Sequence, residues 1–163
     1  MFVIENILDN EDVKNIVSLI DLEIENNFDV NVPLYQSHTN MHLKYDENES
    51  FKKFLKKVDD ITKTEMRERI TLIECWFNIC KKDSNFEFHN HIRTRSSRHF
   101  KYTSVFFLKN CTENGTIFKI NNALLQLKVK DNDLVFFDPS LLHTVPPWKN
   151  IDRYSIAMDF IER

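Results

Sequence analysis

From residue 71 onward the chain is a succession of short apolar or alternating runs with no helical stretch between them. The runs are T-L-I-E-C-W-F-N-I, F-E-F-H-N-H, Y-T-S-V-F-F-L, G-T-I-F-K-I, L-L-Q-L-K-V, D-L-V-F-F and Y-S-I-A-M-D-F. Turn signals such as D-S-N, E-N-G-T, K-D-N-D and P-P-W-K-N separate them. Asn114-Gly115 is the strongest of these signals, because a type I′ hairpin needs positive φ at both central residues. This series of short strands predicts a closed, double-sheet, mainly β fold, a jelly roll or cupin-like barrel when histidines point inward.

The first third reads differently. Val13, Ile16, Val17, Ile20 and Ile24 keep the i, i+3, i+4 spacing of one helix face, with Asp9 to Asp12 as cap and dipole partners. Phe51, Phe54, Leu55, Val58 and Ile61 predict a second helix, capped by Asn48 or Ser50, with Lys52-Lys53 and Lys56-Lys57 on a solvated face. The segment P-L-Y-Q-S-H-T-N-M-H-L-K-Y between them reads as loop and strand, so His38 and His42 are ordinary histidines and not a helical metal pair. There is no internal repeat and no linker. The organisation expected is one domain over 1–163, with a helical flank at 1–70 and a β core at 71–163.

Composition excludes several classes. The 163 residues carry a net charge of −3, so bulk electrostatics do not favour a polyanion, and any anion site must be local. Gly115 is the only glycine, whereas Walker and dinucleotide loops need several so that backbone amides can approach phosphate. No window approaches the roughly 18 apolar residues of a membrane span, and the N-terminus lacks a basic, then apolar, signal pattern. Cys75, Cys80 and Cys111 are odd in number and form no C-x-x-C pair; Cys75 and Cys80 lie in or beside apolar sequence, as buried free thiols do, which suits a reducing, cytoplasmic setting.

Chemistry concentrates at two places. In F-E-F-H-N-H, His89 and His91 are two apart on an extended chain and project to one side, as two metal ligands on adjacent rungs would. In D-L-V-F-F-D-P-S-L-L-H-T-V-P-P-W, His143 follows an apolar strand beside a proline-rich turn. Arg153 then opens R-Y-S-I-A-M-D-F, where Arg153, Ser155 and Ala157 share one face. An inward arginine would be an unpaired buried charge unless an anion meets it. A guanidinium with a nearby hydroxyl is a sound bidentate receptor for a carboxylate.

The ordered set W-F-N (Trp76 to Asn78), H-N-H (His89 to His91), F-F-D-P-S-L-L-H-T-V (Phe136 to Val145) and R-Y-S (Arg153 to Ser155) resembles the non-haem iron(II), 2-oxoglutarate-dependent oxygenases, in a small branch patterned W-x-N, H-x-H, H, R-x-S. Y-T-S-V-F-F-L is similar to that family's S-G-V-Y-Y-L strand. The resemblance implies a double-stranded β-helix and an enzyme that hydroxylates a substrate while 2-oxoglutarate is decarboxylated to succinate. His89, His91 and His143 would hold iron(II), and Arg153, Ser155 and Asn78 would hold 2-oxoglutarate, with ascorbate as a supporting reductant. Two departures follow from the comparison. Most of the superfamily has a carboxylate where His91 stands, so either His91 is the third ligand or a carboxylate such as Asp138 completes the site; the P-S turn after Asp138 favours a structural role for it. Ser104 replaces a family glycine, which implies a smaller pocket.

The basic run R-T-R-S-S-R-H-F-K after the histidine pair is placed at the barrel mouth, with His99 as part of that loop. Arg93, Arg95, Arg98 and Tyr102 are candidate contacts for an anionic small molecule or peptide; a solvated loop is the alternative, and nucleic acid stays open as a weaker one, with only Phe100 and Tyr102 to stack on bases. Trp148 reads as packing on the rim. Two other functions stay open: a three-histidine cupin dioxygenase with no use for 2-oxoglutarate, and a metal-free β-sandwich binding module.

Overall fold

The computed structural model describes residues 1–27, 34–81, 86–92, 99–111, 115–146 and 152–163. Its elements are β1 (Phe2–Ile4), α1 (Asn10–Asn27), β2 (Leu34–Gln36), α2 (Met41–Lys44), α3 (Glu49–Thr64), β3 (Ile70–Cys80), β4 (Tyr102–Lys109), β5 (Ile117–Ile120), β6 (Ala123–Gln126), β7 (Leu134–Phe137), β8 (Leu142–Thr144) and β9 (Arg153–Glu162). The strands form a six-stranded sheet in the order β1-β7-β4-β9-β3-β2 and a three-stranded sheet in the order β6-β5-β8. The paired strands of both sheets are antiparallel. The protein is mainly β, as its alternating runs predict.

Both long helices lie where the apolar periodicity puts them. Asp9 starts α1 by accepting the Asp12 backbone N–H at 2.8 Å, and Asn48 starts α3 by accepting that of Phe51 at 3.0 Å. Ser50, the other candidate cap, is buried and donates to Asp12 across the two helices at 2.6 Å. The apolar faces cover one side of the large sheet. Phe54 stacks on Phe106 with centroids 4.7 Å apart, and Phe51 meets Phe77 edge-on at 5.6 Å. All four rings are fully buried, each worth roughly 1.5–3 kcal/mol of apolar transfer. A second, smaller core of Phe107, Cys111, Phe118, Val129, Val135 and Phe137 lies elsewhere. Strand parity separates the two. On β9, Tyr154, Ile156, Met158 and Phe160 join the helix-side core, while Arg153, Ser155, Ala157 and Asp159 face the other way.

Three local expectations change. β1 pairs with β7 within a stretch read only for its lack of a leader pattern, and α2 adds one helical turn where loop and strand were expected. Gly115 has no positive φ; it is buried, and a Cβ there would stand 2.1 Å from the Leu127 carbonyl oxygen, so close approach of two backbones demands the glycine. Asn114 lies outside the described residues. The two-residue hairpin with positive φ at both positions is instead Asn121 (48°) and Asn122 (66°), joining β5 to β6.

Candidate metal centre and carboxylate receptor

The F-E-F-H-N-H stretch is extended but barely a strand. Its pairing is a single bridge in which His89 N–H donates to the His143 carbonyl at 3.0 Å and His143 N–H returns the bond at 2.8 Å. His91 N–H then donates to the Pro139 carbonyl at 2.9 Å, so the segment runs antiparallel along β8 and the chain before it. His143 is also held from its other side, opposite Phe118 of β5. One ring nitrogen from each of His89, His91 and His143 lies within 4.8 Å of the others.

The remaining nitrogens decide what the cluster can do. His89 Nδ1 faces the Glu87 carbonyl at 3.1 Å, and His143 Nδ1 faces the Leu141 carbonyl at 2.9 Å. His91 Nδ1 faces both oxygens of Asp159, at 2.9 and 3.1 Å. Carbonyl and carboxylate oxygens only accept, so the proton of each neutral ring sits on Nδ1 and each Nε2 keeps a lone pair. Burial holds His143 down to about 3 and also lowers His89, which keeps these rings uncharged at neutral pH. Three converging imidazole lone pairs, each oriented by a partner on the far nitrogen, are a donor set for a divalent transition metal.

The same cavity contains Arg153, Ser155 and Asn78. These come from adjacent strands, with Asn78 of β3 directly opposite Ser155 of β9. Arg153 is 1% exposed, its guanidinium carbon lies 5.1 Å above the Phe107 ring, and its Nε and Nη1 have no hydrogen-bond partner. The thiols beside it give no negative charge: burial raises Cys80, and raises Cys111 to about 11, in both cases outweighing the pull of the guanidinium. Asp152 is tied to Lys81 at 2.9 Å. A fully buried cation with unmet donors is poised for an anion that enters the cavity. An open cleft adjoins this cavity, sharing Gln36, Trp76, His89 and His91 with it and lined further by Ser37, Thr39, Asn90, Ile92 and Asp159.

Comparison with solved structures places this fold among known proteins. HygX from Streptomyces hygroscopicus, solved with nickel and 2-oxoglutarate bound, is 12% identical and superposes with a TM-score of 0.72 over 99% of this chain and 82% of its own. A prolyl hydroxylase from Trichoplax adhaerens, in complex with a hypoxia inducible factor peptide fragment, is 16% identical with a TM-score of 0.72, over 99% and 83% of the two chains. The viral collagen prolyl hydroxylase of Paramecium Bursaria Chlorella virus-1, as a 2-oxoglutarate complex, is 14% identical with a TM-score of 0.71, over 99% and 96%. The fold is the jelly roll of the 2-oxoglutarate oxygenases. No protein-family model matches the chain, and no curated protein matches it in sequence. The kinship therefore lies in the fold.

Against that oxygenase fold, the sequence-derived residues divide clearly. His89, His91, His143, Arg153, Ser155 and Asn78 line one cavity. Asp138 does not join them: its Oδ1 accepts the Ser140 N–H at 2.8 Å in a turn, its ordinary structural role. Tyr102 points to the helix side, where its hydroxyl donates to Glu68 at 3.0 Å, so it is not a wall of the cleft. Ser104 is on that same side of β4, facing away from the cavity, and cannot narrow it; Thr103, Val105 and Phe107 of β4 face the other way. Arg93, Arg95, Arg98 and Trp148 lie outside the described residues. His99 is exposed, and His42 is half-buried and lowered by that burial; neither belongs to a metal-ligand cluster among the described residues. Sequence reading missed Asp159. Its signal was available, since it shares strand parity with Arg153, Ser155 and Ala157.

Proposed function

We propose that the protein is an iron(II)- and 2-oxoglutarate-dependent oxygenase that hydroxylates its substrate. One observation carries the reading: three imidazole lone pairs and a buried guanidinium with unmet donors share one cavity. His89, His91 and His143 would hold the iron, which when bound supplies O₂ activation coupled to decarboxylation of 2-oxoglutarate. Arg153 would clasp the distal carboxylate of 2-oxoglutarate, with Ser155 beside it and Asn78 toward the keto-acid end. Ascorbate would serve as a supporting reductant. With His89, His91 and His143 holding the ion, cosubstrate and oxygen would reach it from the cavity that Arg153 shares. Phe118 and Phe137, both fully buried, pack behind His143 and help hold its ring in place.

The substrate would enter by the open cleft, with Trp76 as its aromatic wall. HygX has been solved with hygromycin B bound, and the Trichoplax enzyme with a peptide; a small molecule or peptide is the corresponding class here. The arginines at 93, 95 and 98 would favour an anionic one. The buried free cysteines suit the cytoplasm, and among the described residues no helix is long and apolar enough to cross a membrane. Chain and site together form one catalytic domain in this reading.

The test is succinate formation from iron(II), ascorbate, O₂ and 2-oxoglutarate without added substrate. Slow uncoupled turnover is expected, lost by about 100-fold or more in His143→Ala. Arg153→Lys keeps the charge but not the planar fork, and should raise the KM for 2-oxoglutarate by about 10-fold. Iron binding with no response to 2-oxoglutarate would replace this reading with the three-histidine dioxygenase. No iron binding at all would leave a binding module.

A further inference from the structure

We propose that Asp159 is a positioning residue that supplies to the metal, through the ring of His91, the negative charge that a ligating carboxylate brings elsewhere in this fold; the inference rests on the metal reading above. Asp159 is 2% exposed, and both of its oxygens reach His91 Nδ1, at 2.9 and 3.1 Å. Thr103 donates its hydroxyl to Oδ1 at 2.6 Å, from the position on β4 directly opposite Asp159 on β9. That bond fixes the carboxylate in one orientation, toward the imidazole.

Charge bookkeeping explains why a carboxylate stands there. Among the described residues the one ion-pair partner of Asp159 is His91, with no lysine or arginine against it. An isolated buried carboxylate costs several kcal/mol unless a positive charge compensates it. His89 and His143 are backed by neutral carbonyls, so His91 alone transmits an anion. A divalent ion on the far side of that ring provides the missing counter-charge. Together they total +1, the same as two histidines and one carboxylate around the ion. Hydrogen bonding from the far nitrogen to a carboxylate also makes an imidazole a more basic ligand. One rigid strand then sets both ends of the site, Arg153 at the cosubstrate end and Asp159 behind the metal.

Asp159→Asn keeps the size and an oxygen to accept from Nδ1 while removing the charge. The experiment is anaerobic competition of iron(II), and separately cobalt(II), between the protein and a chromophoric chelator. Asp159→Asn should bind about 10–100-fold more weakly, and Asp159→Glu should recover part of that loss. The metal-free Asp159→Asn protein should melt no lower than the wild type, since an uncompensated buried charge has gone; a structural role would lower it instead. Equal metal affinity in Asp159→Asn and wild type overturns the proposal and leaves the metal reading intact. A wild type that binds neither ion overturns the metal reading itself. Should Asp159→Asn not fold, Thr103→Val decides: a several-fold weaker affinity supports the relay, and an unchanged one overturns it.

Discussion

Arg153 is the residue whose burial is hardest to justify without a ligand. It is 1% exposed, and two of its donor nitrogens have no hydrogen-bond partner. Replacing it by methionine fills the same space without the charge, so Arg153→Met should stabilise the ligand-free protein by about 1–4 kcal/mol in urea unfolding. The same variant should lose the stabilisation that 2-oxoglutarate gives the wild type, a gain and a loss that a purely structural arginine would not produce together. Residue types announced much of this: histidines two apart and an arginine at an inward strand position are legible in a sequence. Which carboxylate backs the site was not. Asp138 is near His143 in the chain but serves its own turn, whereas Asp159 is far in sequence and reaches His91 across a strand pairing.

At the scale of elements, α1 and α3 are tied by a polar contact as well as by apolar packing. Asp12 accepts from Ser50 at 2.6 Å and from Lys53 at 3.1 Å, and the hydroxyl, then the lysine, hold its carboxyl below the ordinary 3.8 against the opposing pull of burial. A lowered folded-state value means that this contribution is complete above pH 3.8 and drains away as the pH falls below it, because the unfolded chain takes up the proton first. Ser50→Ala should cost about 1–3 kcal/mol at neutral pH. Its unfolding curve should converge on that of the wild type on acidification below 3.8. Helix periods are local, which is why both long helices were readable within a residue or two of their caps. Strand partners are not local. The F-E-F-H-N-H run has strand alternation but closes only one bridge, since its pairing depends on how β8 approaches.

For the molecule as a whole, two cores on opposite faces of the large sheet divide the labour: one docks the helices, and the other backs His143 with Phe118 and Phe137. The site sits where the sheets meet, so its occupancy should be felt by global unfolding. A divalent metal at 100 times its Kd should raise stability by about 2.7 kcal/mol, seen as a rise in the thermal midpoint. His143→Ala should show no such rise. A metal that leaves the wild-type midpoint unchanged would count against a site built into the folded state.

What the sequence determined alone was whatever depends on neighbours in the chain: helix periods and caps, the run of short strands, the same-side projection of His89 and His91, and the parity of Arg153 with Ser155. Only the tertiary structure decided which strands pair, that Tyr102 and Ser104 face the helices, that Gly115 yields to the Leu127 backbone, and that Asp159 stands behind His91. The physical reason is the range of the forces involved. Backbone dihedrals and side-chain alternation are set within a few residues, whereas a buried charge finds its partner only after distant strands have closed the space around both.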